Sequence, residues 1–259
     1  EVSYFNNLLT QLNDAGHLAL FAKKTLTELK MDVARVENFV GKTEADAWVV
    51  AAGSKPVLEW FEQQNFPAFA LFGRSVNVNL AATAPLKGPA LIEAVRHLVA
   101  LGHQRIVMLA REERRKPLPG LLEQTFLDEL EAQGIKTGPY NLPDWEESPG
   151  RLQEALNQLF KHTPPTALFI QTSQLTVAIL QHTAELGLKI PRDLSIISMD
   201  PSPAYELCHP LISHISYDSD PWLRRIVRWA NNVARGKEDR KRVLFPGKFV
   251  TGGTTGPAK

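Results

Sequence analysis

The chain has 259 residues, 44% of them apolar, and a formal net charge of +1. Its length is enough for one large or two smaller globular domains. The near-zero charge excludes the bulk basic surface that tracks a nucleic-acid backbone. The single cysteine, Cys208, excludes an internal disulfide and favours a reducing compartment. Because the sequence also contains neither a bilayer-length apolar run nor a signal-peptide pattern at Glu1, we expect a cytoplasmic protein that does not contact a membrane.

Predicted helices and strands alternate along the chain. An amphipathic helix ending at Gly16 is followed by a strand at Leu18–Ala22, a helix at 28–40, a strand at Ala47–Ala51, a helix at Pro56–Gln64, a strand at Ala68–Phe72 and a helix at 89–101. The second half holds a strand at 105–109, helices at 121–133 and 150–160, a βαβ unit at 165–200, a helix ending at Gly236 and a strand at Val243–Val250. This alternation predicts an α/β protein with doubly wound parallel sheets, and its length suggests two of them.

The βαβ unit is the most informative stretch. Ala167–Ile170 is a short apolar run typical of a strand that is buried on both faces. The following apolar residues recur at helical spacing until Gly187 ends the helix, and Leu194–Met199 forms the next strand. Asp200 follows directly, at the carboxyl end of a strand, where open α/β sheets bind ligands.

Four sequence blocks resemble lactose-repressor-type (LacI/GalR) transcription regulators. They are HLVALGHQRIVML, DWEESPG, PTALFIQTS with AELGLKIPRDLSIISMD, and HPLISHISYD, which follow the order and spacing of that family across residues 85–220. The resemblance implies a type I periplasmic-binding-protein-like fold of two similar lobes joined by three crossing segments. It places the N-terminal lobe at 1–102 plus 218–241 and the C-terminal lobe at 103–217 plus 242–259. That family's first lobe opens with a strand before its first helix, so we expect the numbering here to begin after that strand.

The function implied by the resemblance is effector binding and dimerisation in a DNA-binding transcription regulator. A small sugar or polyol would bind in the cleft between the lobes, and DNA would be contacted only through a head domain that this sequence does not contain. The helix around Trp222–Val233 has more apolar positions than one buried stripe requires, which favours a homodimer. The alternative is a periplasmic sugar-binding protein of a transport system, which shares the fold.

This resemblance implies that two residues, Asp200 and Trp145, contact the ligand. Asp200 matches the aspartate of the family's GFD motif, and an ionised carboxylate makes strong hydrogen bonds to vicinal hydroxyls. Trp145 matches an aromatic residue that stacks on a sugar ring in some members. The alternatives are a turn or capping aspartate before Pro201 and a core tryptophan.

The remaining ligand-binding positions depart from the family's pattern. The Asn-Asp pair of the family falls on Thr172 and Ser173, its arginine falls on Leu122, and the aspartate after the first lobe's last strand has no counterpart in ATAPLKGPA. Arg111 and Arg74 each follow a predicted strand and are candidates to replace the lost arginine, although both also fit an exposed surface.

Catalytic and metal-binding patterns are absent from the sequence. The histidines show no ligand spacing, and neither a nucleotide-binding glycine motif nor a GxSxG motif occurs. We therefore expect neither an enzyme nor a protein with a metal or cofactor.

Overall fold

The computed structural model describes residues 2–259. Its α-helices are α1 (Val2–Asp14), α2 (Val33–Val40), α3 (Lys55–Glu62), α4 (Gly88–Ala100), α5 (Glu112–Arg115), α6 (Leu121–Ala132), α7 (Pro149–His162), α8 (Ser173–Glu185) and α9 (Asp220–Ala234). Its strands are β1 (Trp48–Ala51), β2 (Ala68–Leu71), β3 (Ala81–Leu86), β4 (Ile106–Leu109), β5 (Ala167–Ile170), β6 (Ser195–Ser198), β7 (Ser213–Ser216), β8 (Arg242–Pro246) and β9 (Lys248–Val250). Within this range, none of the helices combines the length and apolar content that a membrane crossing requires.

The first of two compact units contains the chain up to Leu86 together with Asp218–Pro246. Its parallel sheet has the strand order β1-β2-β3-β8. Helices pack on both faces of the sheet, because one core cluster joins α2 and α3 to the strands and another joins α1 and α9 to them. Strand β3 has no strong sequence signal, since its buried residues are mostly alanines and it contains Pro85.

The second unit contains Lys87–Tyr217 and Gly247–Lys259. Its sheet has the order β4-β5-β6-β7-β9, in which β9 is the antiparallel edge strand and the other strands are parallel. All four residues of β4, β5 and β6 are buried, as the apolar runs predict for strands covered on both faces. The predicted βαβ unit is therefore confirmed as β5-α8-β6.

Two of the predicted lobe boundaries differ from the boundaries of these units. The first division falls after Leu86 instead of 102, because the buried face of α4 packs with Ile106, Met108 and Phe126 in the core of the second unit. The last division falls after Pro246 instead of 241, because β8 pairs with β3 along its whole length. The division after Tyr217 lies where the sequence analysis placed it.

The prediction of one strand at Val243–Val250 is wrong for a related reason. Gly247 separates β8, which belongs to the first sheet, from β9, which pairs with β7 in the second. The chain therefore passes from one unit to the other within that apolar stretch.

The predicted strand at Leu18–Ala22 is also wrong. These residues form no strand, and Leu18 and Leu20 are 87% and 75% exposed. Ala19 packs against the core of the first unit. The side-chain amide of Asn13 accepts a hydrogen bond from the Ala19 N–H at 3.1 Å and donates one to the Ala19 carbonyl oxygen at 3.4 Å. A side chain thus satisfies backbone groups that a strand would pair with a neighbouring strand.

Candidate functional site

The carboxyl edge of the second sheet brings together most of the predicted site residues. In the register of the parallel strands, Leu109 lies opposite Ile170 and Ile170 lies opposite Ser198. Consequently Arg111, Thr172 and Asp200 leave neighbouring strands at the same edge. This is the edge at which doubly wound sheets bind their ligands.

The backbone of Asp200 is fixed by a chain of buried hydroxyl groups. Ser198 Oγ donates to the Asp200 carbonyl oxygen at 2.9 Å, and the Tyr205 hydroxyl lies 2.9 Å from Ser198 Oγ and 3.2 Å from Thr176 Oγ1. Thr176 Oγ1 in turn donates to the carbonyl oxygen of Thr172 at 3.0 Å. Burial raises the pKa of Tyr205, which keeps its hydroxyl protonated. The chain therefore connects the ends of β5 and β6 and holds Asp200 and Thr172 in a fixed relation.

The Asp200 carboxylate forms an ion pair that the sequence analysis did not anticipate. Lys87, the first residue of the second unit and the N-cap position of α4, donates from Nζ to Asp200 Oδ1. The side chains of Lys87 and Asp200 are only 13% and 23% exposed. Lys87 Nζ also lies 5.0 Å from the ring centroid of Tyr217, a residue that follows β7 at the same edge. In the sequence, Lys87 stands within ATAPLKGPA without a local pattern that marks it as a partner of Asp200.

Thr172 and Ser173 begin helix α8. Thr172 is the N-cap, and its Oγ1 accepts from the backbone N–H of Leu175 at 3.2 Å. Both residues are half-buried beside the end of β5. The amino terminus of the helix adds partial positive charge at this edge, which favours oxygen-rich groups.

Trp145 lies in the loop before α7, as predicted, but its ring is buried. It is 8% exposed within the second unit's core, and its indole Nε1 donates to the carbonyl oxygen of Ala110 at 3.1 Å. The guanidinium carbon of Arg115 lies 5.5 Å from the ring centroid. Because the ring is buried and its donor is occupied, this arrangement favours the alternative of a core tryptophan.

Arg115 explains part of that packing. It is 6% exposed, donates to the carbonyl oxygens of Ala110 and Trp145, and pairs with Asp144. Burial lowers the pKa of the Arg115 guanidinium, although it stays charged. Arg115 therefore holds the loop of Trp145 against the end of β4.

The two candidate arginines differ in their surroundings. Arg111 is 44% exposed and forms ion pairs with Glu147 and Glu113 at 3.0 and 3.2 Å, while its backbone N–H donates to Gln171 Oε1. It is thus at the predicted edge, with its charge already compensated. Arg74 belongs to the first unit, after β2, and its backbone N–H donates to the carbonyl oxygen of Gly53 at 3.0 Å.

The carboxyl edge of the first sheet has polar atoms of its own. Thr83 in β3 and Trp222 in α9 are each 1% exposed, and neither Thr83 Oγ1 nor Trp222 Nε1 has a hydrogen-bond partner among the described residues. Phe72, whose ring lies 5.2 Å from that of Trp222, has a φ of +60° directly after β2. Unsatisfied buried donors and left-handed backbone at a sheet edge are features that cluster at ligand-binding sites.

Two doubly wound units with polar carboxyl edges define a class of α/β ligand-binding proteins. A family model described as a periplasmic binding protein-like domain matches residues 95–255, which is more than half of the chain. The chain belongs to this family and corresponds to the effector-binding domain of lactose-repressor-type regulators.

Individual relatives agree with that assignment. The transcriptional repressor CytR of Escherichia coli is 30% identical over 128 residues, which cover 49% of this chain and 37% of CytR. A LacI family regulator from Bifidobacterium animalis aligns over 99% of this chain and 95% of its own, with a TM-score of 0.77 and 21% identity. A LacI family regulator from Enterococcus faecium, solved with bound ribose, aligns over 99% and 95% with a TM-score of 0.72 and 18% identity. The match therefore spans well under half the length of CytR, and the structural likenesses establish the fold alone.

Proposed function

We propose that this chain senses a small neutral sugar or polyol for a transcription regulator. The ligand binds at the carboxyl edge of the second sheet, where Asp200 accepts hydrogen bonds from its hydroxyls and Thr172 and Ser173 lie beside it. The observations that carry the proposal are the buried hydroxyl chain that fixes the backbone of Asp200 at this edge and the contact of its carboxylate with Lys87. A carboxylate held by its surroundings loses little conformational freedom when a ligand binds.

Related proteins also support this proposal. CytR is a repressor, and the Enterococcus regulator was solved with ribose. A sugar alters regulation only if it binds one conformational state more tightly than another, because a ligand with equal affinity for both states shifts nothing. We further propose that a separate head domain makes the DNA contact and that the regulator acts in the cytoplasm.

The ligand test is calorimetry with ribose, xylose, galactose and ribitol. We expect at least one of them to bind, and Asp200→Asn to weaken that binding ten- to a hundredfold, because charge-assisted hydrogen bonds contribute about 1.5–3 kcal/mol each. Asp128→Asn is the matched control, since Asp128 is an exposed helix residue of the same unit. Binding that Asp200→Asn leaves unchanged would show that the site lies elsewhere.

The DNA test uses the isolated chain in a mobility-shift assay. With a net charge of +1, we expect little affinity for duplex DNA at physiological salt. Tight, sequence-selective binding would contradict the assignment of DNA contact to a separate head domain.

Homodimerisation remains a prediction, on weaker grounds than the sequence suggested. Trp222, Leu223, Ile226 and Trp229 of α9 are buried in the first unit's own core, so these positions do not supply an interface. Light scattering at tens of micromolar decides the question, and a monomer at that concentration would contradict the prediction.

A further inference from the structure

The ion pair between Lys87 and Asp200 changes what the proposed ligand site can accept. An ammonium group has three N–H donors, and a carboxylate has two oxygens with about four acceptor positions. The bond from Lys87 Nζ to Asp200 Oδ1 uses one donor and one acceptor position. The ion pair therefore keeps unused N–H donors on Lys87 beside unused acceptor positions on Asp200, and its two formal charges cancel.

This combination matches adjacent hydroxyl groups. A hydroxyl both donates and accepts, so one hydroxyl of a vicinal pair can donate to Asp200 while the next accepts from Lys87. A carboxylate or phosphate lacks the donor for Asp200 and is repelled by it. Such an anion would also lose hydration beside a lysine whose charge is already compensated.

The surroundings of Lys87 hold it in this role. Its side chain is 13% exposed, and the ring of Tyr217 lies 5.0 Å from Nζ, within the range of a cation–π contact. Lys87 also sits at the N-cap of α4, so its backbone is anchored to a helix whose apolar face is buried in the core. The ammonium is consequently kept near Asp200.

We propose that Lys87 determines the charge selectivity of this site, so that it accepts neutral ligands with adjacent hydroxyls and rejects their carboxylated or phosphorylated counterparts. The inference rests on the proposed sugar-binding function and deepens it. Lys87 acts by compensating the charge of Asp200 and by supplying a donor next to its acceptors.

The experiment compares dissociation constants for matched neutral and anionic probes. The pairs are galactose with galacturonate, glucose with glucuronate, and ribose with ribose 5-phosphate. For the wild-type chain we expect the neutral member of a bound pair to bind at least about tenfold more tightly, a difference of about 1.4 kcal/mol.

Two substitutions should move this preference in opposite directions. Asp200→Asn leaves the Lys87 charge uncompensated, so the preference for the neutral probe should fall about tenfold or reverse. Lys87→Met leaves the Asp200 charge uncompensated, so the preference should increase although both probes bind less tightly. Lys87→Arg keeps the ion pair and should retain the wild-type preference.

Lys259→Met is the matched control, because Lys259 pairs with Asp193 at 2.9 Å elsewhere in the same unit. It should leave the preference unchanged, and urea unfolding of each variant confirms that it is folded. The inference is overturned if Asp200→Asn and Lys87→Met change the preference for the neutral probe in the same direction, or if neither variant changes it. Sugar binding itself would remain supported in both cases. If no neutral probe binds the wild-type chain, the proposed function is itself overturned, and the inference with it.

Discussion

The two ends of strand β6 carry the same type of ion pair in different surroundings. At the amino end, Asp193 pairs with Lys259 and Arg192, whose side chains are 62% and 57% exposed. At the carboxyl end, Asp200 pairs with Lys87, which is only 13% exposed. The two carboxylates are similarly exposed, at 19% for Asp193 and 23% for Asp200, so the pairs differ in how strongly water screens the cation.

The amino edge of the second sheet is closed by the chain's own C-terminal tail. Thr254 Oγ1 donates to the carbonyl oxygen of Ile196 at 2.9 Å, and Ser195 Oγ accepts from the Gly256 N–H at 3.0 Å. His103 connects the tail to the strands, since its Nε2 lies 2.9 Å from the Gly256 carbonyl oxygen and its Nδ1 lies 2.9 Å from Thr166 Oγ1. Gly252 is required there, because an added Cβ would lie 2.1 Å from the Leu211 carbonyl oxygen.

The difference separates stabilising groups from groups available for recognition. Polar atoms at the amino edge bond to the tail, so this edge contributes to folding. Polar groups at the carboxyl edge are oriented by a hydroxyl chain behind them, as in Tyr205, Ser198 and Thr176, while the pair of Asp200 and Lys87 retains donors and acceptors. Substitutions at the two edges should therefore affect different measurements.

We expect the greatest loss of stability from a substitution at the amino edge. His103→Ala removes two buried hydrogen bonds and leaves a cavity, so we expect a loss of roughly 3 kcal/mol in the free energy of unfolding. Urea unfolding measures it, with His162→Ala as the control because His162 is exposed on α7. Sugar affinity of the folded variant should stay within about twofold, and a larger loss of affinity would contradict the separation of the two edges.

A smaller effect is expected behind the carboxyl edge. Tyr205→Phe removes the hydroxyl that connects Ser198 with Thr176, which should cost roughly 1–2 kcal/mol of stability. Because Asp200 then loses part of its support, sugar affinity should also fall a fewfold. The control is Tyr140→Phe, a half-buried tyrosine whose hydroxyl donates to the Thr163 carbonyl oxygen at 3.1 Å. A Tyr205→Phe variant that is destabilised but binds sugar normally would show that the hydroxyl chain does not orient Asp200.

Stability should also decrease in mild acid. Burial lowers the pKa of His97, His103 and His182, so the unfolded chain binds protons that the folded chain excludes. Stability is then complete above the unfolded histidine pKa of about 6.5 and is lost as the pH falls below it. Carboxylates with a lowered pKa, such as Glu129, contribute stability that is complete above their unfolded pKa of about 4.5 and is lost only as the pH falls below it.

Urea unfolding between pH 7.5 and 5 isolates the histidines. We expect the midpoint to decrease with pH, and to decrease less steeply in His103→Gln than in the control His162→Gln. A midpoint that rises toward pH 5 would contradict the lowered pKa values.

The same comparison shows what could be predicted from the sequence. Strand β6 and Asp200 were predictable because an apolar run followed by an aspartate is a local pattern. The partner of Asp200 was not, since Lys87 lies 113 positions away and only the tertiary fold brings it close. The burial of Trp145 was not predictable either, because a match to a motif carries no information about burial, and its packing depends on Arg115 and Ala110.

Asp193, at the opposite end of β6 from Asp200, should respond least to substitution. The hydrogen bond from Arg192 and then that from Lys259 lower the pKa of Asp193, so the carboxylate is ionised at pH 7 and contributes through exposed ion pairs. Asp193→Asn should therefore reduce the thermal midpoint slightly at low salt, and the difference should disappear near 1 M NaCl, where the Debye length is about 3 Å.

Sugar affinity should not change in Asp193→Asn, in contrast to the loss expected for Asp200→Asn at the other end of the same strand. Scanning calorimetry at two salt concentrations and sugar titration of both variants make the test. An equal loss of affinity in the two variants would show that binding depends on the integrity of β6 as a whole and not on its carboxyl end.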